Sequence, residues 1–125
     1  MHENEISGII LDACIKVHKA MGPGLLESVY EEILAYELRK RGLTVERQKP
    51  VPVFYETIKM EVGFRVDLMV NDKVIIELKS VEVLTKKHFK IVRNYLGLTD
   101  KKLAILVNFN TYLIKDGYHR IVNNL

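Results

Sequence analysis

The sequence predicts an α/β (α+β) fold in which a mixed β-sheet is flanked by helices, and three observations carry that expectation. Up to Arg41 apolar side chains recur at intervals of three and four, and from Leu43 the period changes to two. The stretch Leu103 to Phe109 (LAILVNF) is an apolar run, as expected of a strand covered on both faces.

The elements follow in order. Ile6, Ile10, Ala13, Val17 and Ala20 form one apolar stripe of a helix over about residues 4–20, which Gly22-Pro23-Gly24 breaks. A second helix is expected over about residues 25–41, with Leu26, Val29, Tyr30, Ile33, Leu34 and Leu38 inward and Gly42 just past a basic last turn. Thr44 to Arg47 is short and strand-like, and Val51 to Tyr55 follows, its Pro52 arguing for an edge or a strand start. A long hairpin comes next, with arms of about residues 59–70 and 74–81 around the turn formers Asn71-Asp72-Lys73. A third helix over about residues 86–98 turns Phe89, Val92 and Leu96 inward and ends near Gly97, and after the apolar strand a last hairpin passes through Asp116-Gly117. With no internal repeat, low-complexity tract or linker, residues 1–125 are expected to form a single domain.

Composition narrows the function classes. The 125 residues are 48% hydrophobic, enough apolar material for one core. No stretch of about 18 apolar residues occurs and the N-terminus lacks a basic segment followed by an apolar one, so a soluble, cytoplasmic protein away from membranes is expected. The lone Cys14 supports neither a disulfide scaffold nor a zinc finger. A net charge of +3 permits nucleic-acid binding without demanding it. The basic residues gather in Arg39, Lys40, Arg41, Arg47 and Lys49, and again in Lys86, Lys87, His88, Lys90 and Arg93; solvated helix faces would look the same.

The hairpin carries the chemistry. Side chains alternate along a strand, so Phe64, Val66, Leu68 and Val70 are expected on one face and Arg65, Asp67 and Met69 on the other. With a three-residue turn the pairs are Val70 with Val74, Met69 with Ile75, Leu68 with Ile76, Asp67 with Glu77 and Val66 with Leu78, and apolar residues meet apolar ones throughout. A two-residue turn would put apolar residues opposite charged ones. The chosen register opposes Asp67 and Glu77 with Cβ atoms about 5 Å apart and sets Lys79 two residues along on the same face. Like charges so placed call for something between them. Mg²⁺ suits, because it takes oxygen ligands from one or two carboxylates and from substrate phosphates, and a neighbouring lysine can stabilise charge on a reacting phosphate. Ordinary ion pairs of the acids with Lys79 and Arg65 are the competing reading.

Asp67, the interval of nine residues and Glu77-Leu78-Lys79 resemble the D…ExK signature of the PD-(D/E)xK nuclease-like superfamily. The wider chain is similar to one branch, the GxxExxY family, through Gly24, Glu27 and Tyr30 in GPGLLESVYEEILAYEL, then FRVDLMV, VIIELKS, YLGL, ILVNF and KDGYHRIV. The resemblance implies a restriction-endonuclease-like core and Mg²⁺-dependent (or Mn²⁺-dependent) phosphodiester hydrolysis of nucleic acid, with DNA the expected substrate. It also implies that a glutamate of the first core helix completes the site. Glu27 matches that position, so the expected catalytic residues are Glu27, Asp67, Glu77 and Lys79, with Asp67, Glu77 and Glu27 as metal ligands. Glu27 can equally be read as a helix-start residue at the third position after Gly24, offsetting free backbone N–H groups. Tyr30, one turn on, is a candidate substrate contact or a packing residue, and Lys86, Lys87, Lys90 and Arg93 are candidates for holding the phosphate backbone. His18 fits a packing role better than a zinc pair with Cys14. One departure counts against catalysis: Ile91 stands where related nucleases carry a glutamine. The alternative function is therefore a non-cleaving nucleic-acid- or protein-binding module on the same fold. Cutting both strands usually needs two active sites, which points to a homodimer.

Overall fold

The computed structural model describes residues 1–125, apart from the side chain of Val62. Helix α1 spans Glu3–Met21 and buries Ile6, Ile10, Ala13 and Val17 as the stripe predicts; Ala20, the last member of that stripe, lies in the final turn and is exposed. His2 starts the helix: its Nδ1 accepts from the Asn4 N–H at 3.0 Å, while Glu5 reaches back to the His2 N–H at 3.2 Å. Helix α2 spans Glu27–Lys40. Leu26 precedes it as the capping residue and is 73% exposed, so it does not join the inward face. Glu27 is accordingly the first helical residue rather than the third. Gly42, at φ +88°, ends the helix in the left-handed conformation that a side chain disfavours.

Strand β1, Val45–Tyr55, is a single strand where two short ones were expected, and it pairs antiparallel with β2, Ile58–Val70, from Val45↔Val70 to Tyr55↔Ile58. The long hairpin is thus β1–β2. Strand β3, Val74–Lys79, forms a backbone ladder with only the last three residues of β2. The sheet has five strands in the order β1-β2-β3-β4-β5, which leaves β1 at an edge where Pro50 and Pro52 lose no ladder bond to a further strand.

Helix α3, Lys86–Thr99, carries the chain across one face so that β4, Leu103–Asn108, lies parallel to β3. Strand β5, Tyr118–Val122, pairs antiparallel with β4 after a short 3₁₀ turn at Ile114–Gly117. Gly117 is required there by close approach, since a Cβ would come within 2.4 Å of the Asn108 carbonyl oxygen.

The sheet separates two cores. Against α1 and α2 lie Leu68, Val70, Ile76, Leu78, Leu103, Ile105 and Val107; against α3 lie Val51, Val66, Met69, Ile75, Ala104 and Leu106. All six residues of β4 are buried, so it is the strand covered on both faces. Burying each Leu, Ile or Val contributes about 1.5–3 kcal/mol, and this double layer fixes the middle of the sheet rigidly. Among the described residues no helix is long and apolar enough to cross a membrane.

Candidate active site

The β2–β3 turn has the three-residue form that the apolar pattern requires, with Val70↔Val74, Met69↔Ile75 and Leu68↔Ile76 in register. Asn71 and Asp72 adopt positive φ of 52° and 53°, which these short polar side chains tolerate. Past Leu68 the backbone ladder stops and side chains take over. The Asp67 N–H donates to Glu77 Oε1 at 2.9 Å, and the Leu78 N–H donates to Asp67 Oδ2 at 2.9 Å. The two acids face one another, each satisfying an amide of the other strand.

The same point is irregular on its far side. Gln48 of β1, opposite Asp67, has φ +50°, and pairing is regular only on either side of it, at Arg47↔Leu68 and Lys49↔Val66. For a side chain other than glycine this conformation costs about 1–2 kcal/mol. Alternation along β2 consequently breaks at Asp67: Val66 packs on the α3 side and Leu68 on the opposite side. This corrects the expectation that Val66 and Leu68 share a face and that Val66 pairs with Leu78.

Burial raises the Glu77 pKa to about 8, and the charge of Asp67 adds to the effect. The side chain of Asp67 is half-buried; burial raises its pKa, while the Leu78 amide, the Gln48 amide and the Lys79 charge act the other way. Lys79 is half-buried two residues beyond Glu77, and its charge favours ionisation of both acids. On α3, Tyr95 is buried with its ring edge-on to Phe64 at 5.4 Å, and its hydroxyl pKa is raised by burial and then by the charges of Glu77 and Asp67. A tyrosine of α3 therefore lies within electrostatic reach of the acid pair, a residue that sequence reasoning missed. Ile91, one turn earlier, packs half-buried into the α3-side core.

Helix α2 meets the hairpin differently from the expectation. Glu27 Oε2 accepts from the Ser80 N–H at 3.3 Å, just past Lys79, and lines an open cleft of about 570 Å³ together with Gly24, Ser28, Ser80 and Asn110. It does not complete a three-carboxylate metal group: among the described residues, no three His, Cys, Asp or Glu side chains converge in that way. The α2 acid linked to Asp67 is Glu31. Its Oε1 accepts from Gln48 Nε2 at 2.5 Å, and the same Nε2 lies 3.1 Å from Asp67 Oδ1. Glu31 stands four residues after Glu27, so the i,i+4 spacing that puts both on one helix face could have revealed it.

Tyr30 is fully buried, stacked on Phe109 at 4.5 Å. Its hydroxyl donates to the Gly22 carbonyl at 2.5 Å and accepts from the Leu25 N–H at 3.1 Å. It locks the Gly-Pro-Gly turn and is not exposed to touch a substrate, which corrects its candidacy as a substrate contact. His18 is likewise structural, with Nε2 2.8 Å from the Thr111 carbonyl oxygen.

The two basic groups separate. In the first, Arg41 pairs with Asp12 and Glu37, Arg47 with Glu31 and Lys49 with Glu46. In the second, Lys86, Lys87, Lys90 and Arg93 are exposed on α3.

Asp67 and Glu77 each commit one oxygen to a backbone amide; Glu77 Oε2, and the remaining lone pair of Asp67 Oδ1, which also accepts from Gln48 Nε2, are the donors toward a cation. Hard carboxylate oxygens in a partly buried, acid-rich setting fit a divalent cation that completes its shell with water and phosphate. No characterised protein and no solved structure gives a significant match to the chain. A family model described as PD-(D/E)XK nuclease superfamily matches residues 4–121, nearly the whole of it. With its mixed sheet, flanking helices and D…ExK hairpin, the chain belongs to the PD-(D/E)XK nuclease superfamily and has a restriction-endonuclease-like fold.

Proposed function

We propose that this protein is a Mg²⁺-dependent or Mn²⁺-dependent nuclease that hydrolyses phosphodiester bonds of DNA, of the GxxExxY kind. The observation that carries the reading is the mutual placement of Asp67 and Glu77 where β2 and β3 part, with Lys79 two residues further along β3. Asp67 and Glu77 would hold the cation. When bound, it polarises the scissile phosphate and eases deprotonation of a water. Lys79 stabilises negative charge developing on the phosphate oxygens. Glu27 lines the neighbouring cleft and keeps Ser80, and with it the end of β3, against the start of α2. Lys86, Lys87, Lys90 and Arg93 hold the phosphate backbone, and cleavage of both strands would use two copies of the chain.

The half-buried, apolar Ile91 favours a second reading, a binding module that keeps the fold without cleaving. Incubating the purified protein with linear, circular, single-stranded and branched DNA, in Mg²⁺ or Mn²⁺ and again in EDTA, separates the two. Cleavage that EDTA abolishes supports the nuclease; binding of DNA with no metal-dependent product on any substrate leaves the binding module.

A further inference from the structure

Gln48 is the one residue inside β1 with a left-handed backbone, and its side-chain amide nitrogen is flanked by two carboxylates, Glu31 Oε1 at 2.5 Å and Asp67 Oδ1 at 3.1 Å. A primary amide nitrogen carries two N–H donors and no acceptor, so each acid can receive one of them. A reversed amide would turn its oxygen toward both acids, which fixes the orientation. Both ends of the chain of bonds are anchored. On one side the Arg47 Nε and Nη2 hold Glu31 Oε2 at 3.1 and 3.0 Å. On the other the Leu78 N–H holds Asp67 Oδ2. The backbone carbonyl of Gln48 is itself held by Arg65 Nη1 at 3.3 Å.

We propose that Gln48 is a positioning residue of the Asp67–Glu77 site, orienting the Asp67 carboxylate through its side-chain amide with Glu31 as the backstop. The inference rests on the reading of that acid pair as the metal-holding centre. With Oδ1 held by Gln48 and Oδ2 by Leu78, the plane of the Asp67 carboxylate is set before any ligand arrives. A strand in regular conformation would carry this side chain elsewhere, so the left-handed backbone is what brings the amide to Asp67. Partners of this kind, one bond away from a ligating group, typically change metal affinity by about 10–100-fold when removed.

Two substitutions isolate the effect. Gln48→Gly removes the amide and relieves the left-handed backbone, so a merely structural bond and an orienting one give different results. Gln48→Met keeps the length of the side chain and removes only its hydrogen bonding. Three quantities are measured: thermal stability in EDTA, Mn²⁺ affinity by electron paramagnetic resonance, and hydrogen exchange of the Leu78 amide in the metal-free protein. Expected are a midpoint for Gln48→Gly no lower than wild type, Mn²⁺ binding about 10–100-fold weaker in both variants, and faster exchange at Leu78. If cleavage is present, kcat falls and KM stays. Wild-type Mn²⁺ affinity and unchanged Leu78 exchange in both variants overturn the inference while leaving the acid pair as a metal site. A wild-type protein that binds no Mn²⁺ overturns the metal reading of the pair, and this inference with it.

Discussion

Asp67 and Glu77 complete one another's strand: the amide of Asp67 donates to the Glu77 carboxylate, and the Asp67 carboxylate accepts from the amide that follows Glu77. Two acids that would repel are held together because each is needed by the other's backbone. At about 5 Å and an effective dielectric near 20 the repulsion between two full charges is on the order of 3 kcal/mol. The protein relieves it by keeping Glu77 protonated at neutral pH, its pKa lying at about 8. A cation would relieve it instead by displacing that proton.

Replacing Glu77 by glutamine tests this directly. The amide oxygen can still accept from the Asp67 N–H, and no charge has to be buried. Glu77→Gln should match wild type in stability below about pH 4.5 and exceed it increasingly as pH climbs from there through about 8, while losing both the stabilisation by millimolar Mn²⁺ and any cleavage. Thermal melts of both proteins, with EDTA and with Mn²⁺, check it. A destabilised variant together with a wild type indifferent to metal would make Glu77 an ordinary ion-pair partner.

The metal-free protein should lose stability as pH rises. Glu77 has a folded-state pKa of about 8 against an ordinary value of 4.5, so between those limits the folded state holds a proton that the unfolded chain releases. Its contribution is therefore fully present below about 4.5 and is lost as pH climbs through about 8. Asp67, also raised, acts in the same direction. Urea unfolding in EDTA at pH 5, 7 and 9 should show a decline attributable to the pair that Glu77→Gln largely removes. Saturating Mn²⁺ should flatten it, because ligation requires the deprotonated acid and releases the proton. A wild-type profile indistinguishable from that of Glu77→Gln would refute the linkage.

Nucleic-acid affinity should reside on α3. Reversing the charge of Lys86, Lys87, Lys90 and Arg93 together should weaken duplex binding strongly. It should also reduce the slope of log K against log salt by up to about 3.6, the value for four phosphate contacts. Fluorescence anisotropy over a salt series measures both. Unchanged affinity would remove this face from the binding surface.

Tyr30→Phe should be a stability variant. It leaves the Gly22 carbonyl and the Leu25 amide without their partner, at a cost of about 1–3 kcal/mol. The cleavage rate per folded molecule should stay near wild type. A large rise in KM with unchanged stability would return Tyr30 to the substrate surface.

Much of this architecture was legible in the sequence wherever local patterning decides. The α1 and α2 stripes, the Gly42 stop, the three-residue turn and the run in β4 all follow from periodicity and turn chemistry. The pairing of β2 with β3 near the turn was legible, but its long pairing with β1 was not, because the alternating segments on either side of β2 offer similar apolar faces and only the tertiary fold selects β1. Residues Gln48 and Glu31 escaped for a different reason. Their meeting depends on a left-handed residue inside a strand, and nothing in a hydrophobic pattern marks such a residue when it is not glycine or asparagine. Tyr30 misled because a tyrosine in a motif looks the same whether its hydroxyl points to solvent or closes a turn.

The parallel pairing of β3 with β4 has a consequence for the order of events during folding. The tight turn lets β2 and β3 meet by a short, fast closure, whereas β4 can reach β3 only after the whole of α3 has been traversed, a slower non-local step. Until then Glu77 sits on an open hairpin in water, an ordinary carboxylate with nothing pressing it to keep a proton. Its raised pKa, caused first by burial, comes into being only as the rest of the domain packs against the hairpin. On a ribosome, the hairpin emerges with its acids chemically unremarkable, and the pair acquires its character only as the later part of the chain packs around it.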